Sequence, residues 1–240
     1  MTDPQRETSP DLLPERRRRD DATHDLVTVH DPSGPASEAY RMLRTNLFYA
    51  LIDYPPKVIV LTSANLGEGK STTAANLGVT LAQADKNVLI LDCDLRRPRL
   101  HSMFGLNNTR GLVDILAGGN RVEAVWREPI PGVKLICAGP PPPNPAELLS
   151  SRRLAEFLAE MRERFDYVLV DAPPVGVADS AVLAVQGDGV LLVLDAQGTR
   201  KGPLRQALRA LRGVGANVLG TVMNNFEVTR GGKSSYGQLY

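Results

Sequence analysis

A glycine-rich turn between an apolar run and a run of small residues constrains the fold of this chain most. The apolar run covers residues 58–61, and Gly-Lys-Ser-Thr at positions 69–72 opens a small-residue segment that is typical of a helix. Backbone N–H groups of such a turn and the positive end of the helix dipole both favour a bound polyphosphate. The lysine reaches the outer phosphates, and the hydroxyl after it can ligate Mg²⁺. The pattern therefore predicts a nucleotide-binding P-loop between a strand and a helix.

The residues expected to contact the nucleotide are consecutive in the chain. They are Asn65, Leu66, Gly67, Glu68, Gly69, Lys70, Ser71 and Thr72. Lys70 is expected to be partly exposed and directed toward phosphate rather than toward the core. The strict P-loop pattern has glycine where this chain has Ala64, so the loop is a relative of the standard one.

Composition favours a single soluble globular domain. The chain has 240 residues, 42% hydrophobic content and a net charge of +1, so it can bury one core and has no bulk field to recruit nucleic acid or anionic lipid. Cys93 and Cys137 form no C-x-x-C pair, which argues against a metal or iron–sulfur site and for a reducing compartment. No apolar run approaches the ~20 residues of a membrane span, and the polar N-terminus does not resemble a signal peptide. We therefore expect a cytoplasmic protein without a nucleic-acid partner, whose membrane contacts come only through another protein.

Two terminal segments are expected to be mobile tails around a domain that spans residues 36–228. Residues 1–35 contain several prolines among charges and have little to bury. The arginine run at residues 16–19 is followed by aspartates, which favours a solvated segment over a lipid or nucleic-acid contact. Residues 229–240 are rich in glycine and serine and carry Tyr236 and Tyr240. Ser37 is a plausible N-cap of a helix that runs to about residue 50.

Six continuous apolar runs predict the strands of a sheet that is covered on both faces. They cover residues 58–61, 88–91, 133–136, 167–170, 190–194 and 218–223. Helical patterns lie between several of them, at residues 71–83, 152–164 and 202–212. This alternation indicates an α/β fold with a mainly parallel sheet, helices on both faces and ligands at the carboxyl ends of the strands.

Carboxylates follow two of these apolar runs. Asp92 and Asp94 come after residues 88–91, and Asp171 comes after residues 168–170. Many single aspartates at strand ends are only caps or turn residues, so the inference depends on their pairing with a P-loop. Parallel strands end at the same edge of a sheet, and these carboxylates can therefore converge on the γ-phosphate and its metal. Mg²⁺ keeps several waters, which suits Ser71 and one carboxylate as direct ligands and the others through water.

Several further motifs occur together between residues 36 and 226. They are D-x-D-x-R at residues 92–96, V-D-A-P-P at 170–174, N-P-A-E-L-L-S at 144–150, and E-x-x-R-x-x-R formed by Glu38, Arg41 and Arg44. With the P-loop, this set resembles the bacterial tyrosine kinase family of capsule and exopolysaccharide assembly, in its stand-alone form. The resemblance implies a P-loop NTPase fold and a protein-tyrosine autokinase that uses ATP and Mg²⁺.

The resemblance also implies roles for particular residues. The implied catalytic residues are Lys70, Asp92, Asp94 and Asp171, and the implied metal-site residues are Ser71, Asp94 and Asp171. Asp92 would orient or deprotonate the acceptor hydroxyl, although Asp92 and Asp94 could exchange these roles. Tyr236 and Tyr240 would accept phosphate from a neighbouring subunit, in a tail with fewer tyrosines than the family's usual cluster. Asn224 or Asn225 would contact adenine.

The E-x-x-R-x-x-R motif has two interpretations. Glu38, Arg41 and Arg44 share one helical face and could make intrahelical ion pairs. The resemblance instead implies that they form the interface of a ring-shaped homo-oligomer. It further implies a transmembrane polysaccharide co-polymerase adaptor whose cytoplasmic tail activates the kinase and recruits it to the inner face of the plasma membrane.

The sequence is also compatible with functions other than a kinase. ParA/MinD-like ATPase switches share the P-loop but carry an early lysine where this chain has Asn65. An ATP-binding scaffold with little kinase activity would retain every metal-site residue. A GTPase is disfavoured because no N-K-x-D motif occurs.

Arg96 could either pair with Asp94 as a structural bridge or contact phosphate.

Overall fold

The computed structural model describes residues 26–50, 55–119 and 121–226. Its strands are β1 (Val58–Ser63), β2 (Val88–Asp92), β3 (Arg127–Ile130), β4 (Val133–Ile136), β5 (Tyr167–Asp171), β6 (Gly189–Asp195) and β7 (Val218–Asn224). They form one seven-stranded sheet in the order β3-β4-β2-β5-β1-β6-β7. The pairs β2–β4, β2–β5, β1–β5, β1–β6 and β6–β7 are parallel, and β3 pairs antiparallel with β4 at one edge. The predicted α/β fold with a mainly parallel sheet is therefore confirmed.

Helices connect these strands. They are α1 (Val27–His30), α2 (Pro35–Ala50), α3 (Lys70–Ala82), α4 (Leu100–Met103), α5 (Leu112–Leu116), α6 (Val122–Val125), α7 (Pro145–Leu149), α8 (Arg152–Arg164), α9 (Ala178–Gln186) and α10 (Lys201–Gly213). Within the described ranges, no helix is both long and apolar enough to cross a membrane.

Two apolar cores lie on opposite faces of the sheet. Successive residues of β1 alternate between them, with Val58 and Val60 in one core and Ile59 and Leu61 in the other. All four side chains are buried, because helices cover both faces. This explains why the strand sequences are continuously apolar rather than alternating. Cys93 and Cys137 are free thiols, one in each core.

The first described residues correct the expected boundary of the N-terminal tail, which was placed at residue 35. Leu26 is buried in the core, and the backbone N–H and hydroxyl of Thr28 both donate to Oδ1 of Asn76, at 3.0 and 2.9 Å. The Ser37 hydroxyl does not cap its own helix but donates to the carbonyls of Val27 and Asp31. A short apolar segment among prolines and charges thus packs on α3. Residues 1–25 and the tail at 229–240 lie outside the described residues, and the chain is followed only to Phe226.

The sheet places the functional loops at one edge. Asp92 at the end of β2 is in register with Asp171 at the end of β5, and Asp171 is in register with Leu61 near the end of β1. The loop after β1 therefore begins beside both carboxylates. This is the convergence that the sequence predicts for a parallel sheet.

Candidate active site

The turn between β1 and α3 has the backbone of a phosphate-binding loop. Gly67 and Gly69 adopt positive φ angles of 80° and 88°, in the left-handed region that favours glycine. Gly69 precedes the first residue of α3, and a Cβ added to it would lie 1.9 Å from Nδ2 of Asn224. The Asn224 amide also donates to the carbonyl of Glu68 at 3.4 Å. The end of β7 therefore packs directly on the loop, and glycine is required at position 69.

The side chain of Glu68 braces this loop from within. It is only 4% exposed, and its carboxylate accepts hydrogen bonds from the backbone and amide N–H groups of Asn65, at 3.0 and 2.8 Å. The hydroxyl of Thr199, in the β6–α10 connection, donates to the same carboxylate at 2.6 Å. Glu68 and Asn65 were expected to contact nucleotide, but both side chains are engaged with each other. A nucleotide contact from Glu68 would therefore come from its backbone.

Lys70 is partly exposed and lines the cavity in front of the turn, but its ammonium group already has an anionic partner. Its Nζ lies 3.0 Å from Oδ2 of Asp94, and the two side chains are 11% and 3% exposed. Burial alone would lower the pKa of Lys70, but the charges of Asp171 and Asp94 outweigh it and the pKa is raised. The lysine therefore stays charged behind the phosphate-binding turn.

Asp92 is completely buried and holds the loop that follows β2. Its two carboxylate oxygens accept hydrogen bonds from the backbone N–H groups of Asp94, at 3.3 Å, and Leu100, at 3.2 Å. Burial raises the pKa of Asp92 well above its ordinary value, and the charge of Asp171 raises it further. The N–H of Leu100 opposes this shift. Asp92 thus fixes the D-x-D-x-R segment in place.

Asp171 has fewer hydrogen-bond partners than Asp92 and Asp94, the two other carboxylates of the site. It is fully buried, and neither of its oxygens accepts a hydrogen bond of good geometry from the described residues. Burial raises the pKa of Asp171 to about 6, while the charge of Lys70 and the nearby Ser71 hydroxyl act in the opposite direction. Oδ2 of Asp94 likewise accepts no hydrogen bond of good geometry, although it is ion-paired with Lys70.

These orphaned oxygens fit a metal ion that arrives with phosphate. Asp94, Asp171 and the buried Ser71 hydroxyl present oxygen atoms, which are the ligands that Mg²⁺ prefers. In the described part of the chain, no group of three or more His, Cys, Asp or Glu residues is arranged to hold a metal by itself. Mg²⁺ in phosphate sites commonly takes one or two carboxylates and completes its shell with phosphate oxygens and water.

A cavity of about 400 Å³ opens in front of this cluster. Its lining residues are Leu66, Gly67, Gly69, Lys70, Ser71, Thr72, Asp94, Arg97, Arg99, Ser102 and Met103. Arg97 and Arg99 were not singled out from the sequence, where they stand in an arginine-rich segment directly after D-x-D-x-R. A larger concavity of about 690 Å³ along residues 140–143 is mostly apolar. We place the site at the smaller cavity because the carboxylates and the phosphate-binding turn meet there.

Arg96 has a partner that the sequence did not indicate. Its Nε lies 2.8 Å from Oδ2 of Asp179, which is buried in the first turn of α9. Neither expected partner, Asp94 nor an outer phosphate, is needed to explain its position. The ion pair links the loop after β2 to the loop after β5, so the segments that follow Asp94 and Asp171 are tied together.

The remaining expected residues lie at the ends of β7 and on α2. Asn225 has a φ of 54°, and its side-chain amide donates to Oδ1 of Asp195 at 3.3 Å. On α2, Arg41 pairs with Glu38 at 2.8 Å, which is the intrahelical pair considered from the sequence. Arg44 instead donates to the carbonyl of Thr80 on α3 at 2.8 Å. Tyr236 and Tyr240 lie outside the described residues.

Comparison with known proteins shows which family the chain resembles. Residues 56–214 match a family model described as an AAA domain. The chain is 40% identical over 214 residues to tyrosine-protein kinase YwqD of Bacillus subtilis, covering 88% of this chain and 90% of that protein. It is 35% identical to tyrosine-protein kinase wzc of Salmonella typhimurium, covering 88% of this chain but only 30% of that longer protein. The solved kinase domain of Escherichia coli tyrosine kinase ETK superposes with a TM-score of 0.79 at 31% identity, over 85% of this chain and 82% of that one.

The same fold occurs in the septum site-determining protein MinD of Pyrococcus horikoshii. That structure superposes with a TM-score of 0.62 at 23% identity and covers 72% of each chain. This likeness shows only that the P-loop NTPase fold is shared. The tyrosine kinases match the chain at higher identity and over more of its length than MinD does. The chain therefore belongs to the bacterial tyrosine-protein kinase family and is a protein-tyrosine kinase.

Proposed function

We propose that this chain is an ATP-dependent tyrosine autokinase that regulates capsular or exopolysaccharide biosynthesis or export. The observation that carries the proposal is the meeting of Lys70, Asp94 and Asp171 behind the phosphate-binding turn. A lysine and two partly unsatisfied carboxylates at a P-loop suit phosphoryl transfer, in which catalysis is mainly positioning and charge stabilisation. Relatives named as tyrosine kinases, which align with 88% of the chain, support the same activity.

Binding of ATP requires Lys70 to exchange its partner. The ammonium group would leave Asp94 and bind the outer phosphates, while backbone N–H groups of residues 67–72 surround the inner phosphates. Asn224 or Asn225 would contact adenine, and either amide would exchange its present partner, the carbonyl of Glu68 for Asn224 and Oδ1 of Asp195 for Asn225. The released Asp94 would then be free to serve the metal.

Ser71, Asp94 and Asp171 would hold Mg²⁺, directly or through water. The ion would neutralise charge that develops on the outer phosphates. The oxygen atoms of Asp94 and Asp171 that lack hydrogen bonds support this assignment. Burial raises the pKa of Asp171 to about 6, so the carboxylate is ionised at neutral pH and a bound cation would stabilise its buried charge.

Asp92 is our candidate for orienting or deprotonating the acceptor hydroxyl, with Asp94 as the alternative. A carboxylate of raised pKa is the stronger proton acceptor once it is ionised, which favours Asp92. Its two hydrogen bonds to the backbone of Asp94 and Leu100 would have to loosen for it to reach a tyrosine. Nucleotide affinity of Asp92→Asn and Asp94→Asn, measured with and without Mg²⁺, separates the two roles. Loss of metal dependence identifies the metal ligand, and loss of transfer alone identifies the acceptor-binding residue.

Tyr236 and Tyr240 are the proposed acceptors, delivered from a neighbouring subunit of a homo-oligomeric ring. The motif of Glu38, Arg41 and Arg44 on α2 is the proposed contact between subunits. A transmembrane polysaccharide co-polymerase would act as adaptor and recruit the otherwise cytoplasmic kinase to the inner face of the plasma membrane. The family membership supports these assignments.

Mass spectrometry of phosphotyrosine tests the proposal. The full chain is incubated with Mg-ATP, with and without the cytoplasmic tail of the proposed adaptor. We expect phosphate on Tyr236 or Tyr240 and its loss in the Tyr236→Phe, Tyr240→Phe double variant. Tyr49→Phe is the matched control, because Tyr49 is 70% exposed on α2 and accessible to any kinase. Phosphate that persists unchanged in the double variant would refute the acceptor assignment.

Two alternatives predict different results. A MinD-like switch would hydrolyse ATP and change its oligomeric state without phosphotyrosine. It is disfavoured because the position of its early lysine is Asn65, whose amide is bonded to Glu68. An ATP-binding scaffold would bind Mg-ATP tightly and show neither hydrolysis nor transfer.

A further inference from the structure

Three cationic side chains line the cavity in front of the P-loop, and only one of them has an anionic partner. Lys70 is paired with Asp94. Arg97 and Arg99 are exposed and line the same cavity. Across the described ranges of the chain, neither guanidinium group makes an ion pair or side-chain hydrogen bond, whereas Arg96 beside them is held by Asp179.

The backbone that carries these two arginines is fixed by the carboxylates of the site. The N–H of Arg97 donates to the carbonyl oxygen and to Oδ1 of Asp94, at 3.2 and 3.1 Å. The carbonyl of Arg99 accepts hydrogen bonds from the backbone N–H groups of Ser102 and Met103 in α4. The next residue, Leu100, donates its N–H to Asp92. Both arginines therefore project from a loop whose position is set by Asp92 and Asp94.

We propose that Arg97 and Arg99, which line the same cavity as the P-loop, bind the terminal phosphate group of ATP. The inference deepens the proposed function, because it assumes that this cavity takes the nucleotide. The P-loop supplies backbone N–H groups and one lysine to this cavity. Arginine is the side chain best matched to phosphate, since its planar guanidinium group can donate two parallel hydrogen bonds.

The location of the arginines selects the terminal phosphate. Both follow Asp94, the residue that we assign to the metal beside the outer phosphates, by only a few positions. During transfer, the bond from the terminal phosphorus to the bridging oxygen of ADP breaks as the bond to the phenolic oxygen forms, and the phenolic proton passes to a carboxylate of the site. Negative charge is spread over the terminal oxygens at that point, where cationic donors lower the barrier.

Docking of the acceptor segment is a weaker explanation for the two arginines. Residues 230–240 contain Arg230 and Lys233 and no aspartate or glutamate. Two unpaired arginines would repel such a basic segment, whereas a triphosphate attracts them. Their charge therefore matches the nucleotide and not the tail.

Binding constants for Mg-ATP and Mg-ADP test the inference without reference to catalysis. Isothermal titration of the full chain is compared with Arg97→Gln, Arg99→Gln and the double variant at constant ionic strength. We expect the double variant to lose ATP affinity by about tenfold or more, as for a lost hydrogen bond to a charged group. ADP affinity should change by less than about twofold, since ADP has no terminal phosphate at this position. Arg97→Lys and Arg99→Lys should retain part of the ATP affinity.

Arg209→Gln on α10 is the matched control, because this arginine is exposed and does not line the cavity. Equal losses for ATP and ADP, or no loss in the double variant, would overturn the inference. The kinase proposal has a separate readout. A wild-type chain that discriminates ATP from ADP through these arginines but forms no phosphotyrosine would support the inference and refute the autokinase. A wild-type chain that binds neither nucleotide would overturn both.

Discussion

Nζ of Lys70 and Oδ2 of Asp94 lie 3.0 Å apart, so the lysine of the P-loop neutralises a buried carboxylate from the neighbouring strand. Each side chain is nearly enclosed, at 11% and 3% exposure. The ion pair lets each of these two largely buried groups compensate the charge of the other. Lys70 thus has a structural partner as well as its proposed role toward phosphate.

Lys70→Met should abolish phosphoryl transfer and also destabilise the nucleotide-free protein. The variant leaves Asp94 and Asp171 buried without their cation, which costs on the order of 3 kcal/mol for a broken buried pair. Differential scanning calorimetry at pH 8 checks this prediction. The double variant Lys70→Met, Asp94→Asn should recover the melting temperature but not the activity. An unaltered melting temperature for Lys70→Met would show that the ion pair contributes nothing to stability.

Asp171 should make the stability of the nucleotide-free protein fall as pH rises. Its pKa is raised from 3.8 to about 6 in the folded chain, so the fold favours the protonated carboxyl. The stability that this group contributes is complete below about pH 4 and is lost as pH rises through about 6. At about 1.4 kcal/mol for each pH unit between those two values, the loss is on the order of 3 kcal/mol.

Urea unfolding of Asp171→Asn between pH 4 and 8 measures this contribution. The stability of the variant relative to wild type should increase with pH over that range, while phosphoryl transfer is lost at every pH. Glu163→Gln on the exposed face of α8 is the control and should follow the wild-type curve. Parallel curves for wild type and Asp171→Asn would contradict the assignment.

Glu68 and Thr199 should act as one unit in holding the P-loop. The hydroxyl of Thr199 donates to the buried Glu68 carboxylate at 2.6 Å. Glu68→Ala and Thr199→Val should each weaken ATP binding and lower stability by about 1–3 kcal/mol, because each removes the hydrogen bond between the buried carboxylate and the half-buried hydroxyl. In a double-mutant cycle, the loss of stability in the double variant should be smaller than the sum of the two single losses, by a coupling energy of about 1 kcal/mol. Full additivity would mean that the contact does not position the loop.

The two arginines of the motif on α2 should have different roles: Arg41 in assembly of the oligomer, and Arg44 in stability of the subunit. Arg41 pairs with Glu38 and donates to the carbonyl of Pro32 through exposed contacts, so Arg41→Ala should reduce the assembled mass and change the melting temperature of the subunit little. Arg44→Ala should lower the melting temperature, because it removes the hydrogen bond to the carbonyl of Thr80. Light scattering at low and high salt measures the assembly, with the exposed Arg152→Ala as control. The same mass for Arg41→Ala and wild type would return Arg41 to a purely intrahelical role.

The sheet could be predicted because its residues are buried on both faces. All six predicted apolar runs are strands, and the long helices α2, α3, α8 and α10 were expected within one or two residues of their observed ends. Helix α9 was missed because residues 178–186 are mostly apolar and show little helical periodicity. Edge strand β3 was missed because its residues, Arg-Glu-Pro-Ile, include a proline and two charges.

The positions of the site residues could be predicted, but their individual contacts could not. Parallel strands bring Asp92 and Asp171 to one edge whatever the intervening sequence. In contrast, the partner of Arg96 is Asp179, which lies far along the chain and resembles an ordinary first-turn residue of a helix. The inward orientation of Glu68 depends on Thr199, a residue of a different connection. Such pairs are set by tertiary packing, and no local pattern encodes them.

The two buried thiols make the chain well suited to site-specific labelling. Burial raises the pKa of Cys93 well above its ordinary value, with the charges of Asp92 and Asp171 adding to the effect, and it raises that of Cys137 to about 12. Since the thiolate is the form that attacks alkylating reagents, both cysteines should be unreactive toward such reagents at neutral pH. A cysteine introduced at the exposed Thr45 on α2 would therefore take up a maleimide fluorophore in the natural background. Subunit exchange could then be followed by energy transfer without first deleting either native cysteine.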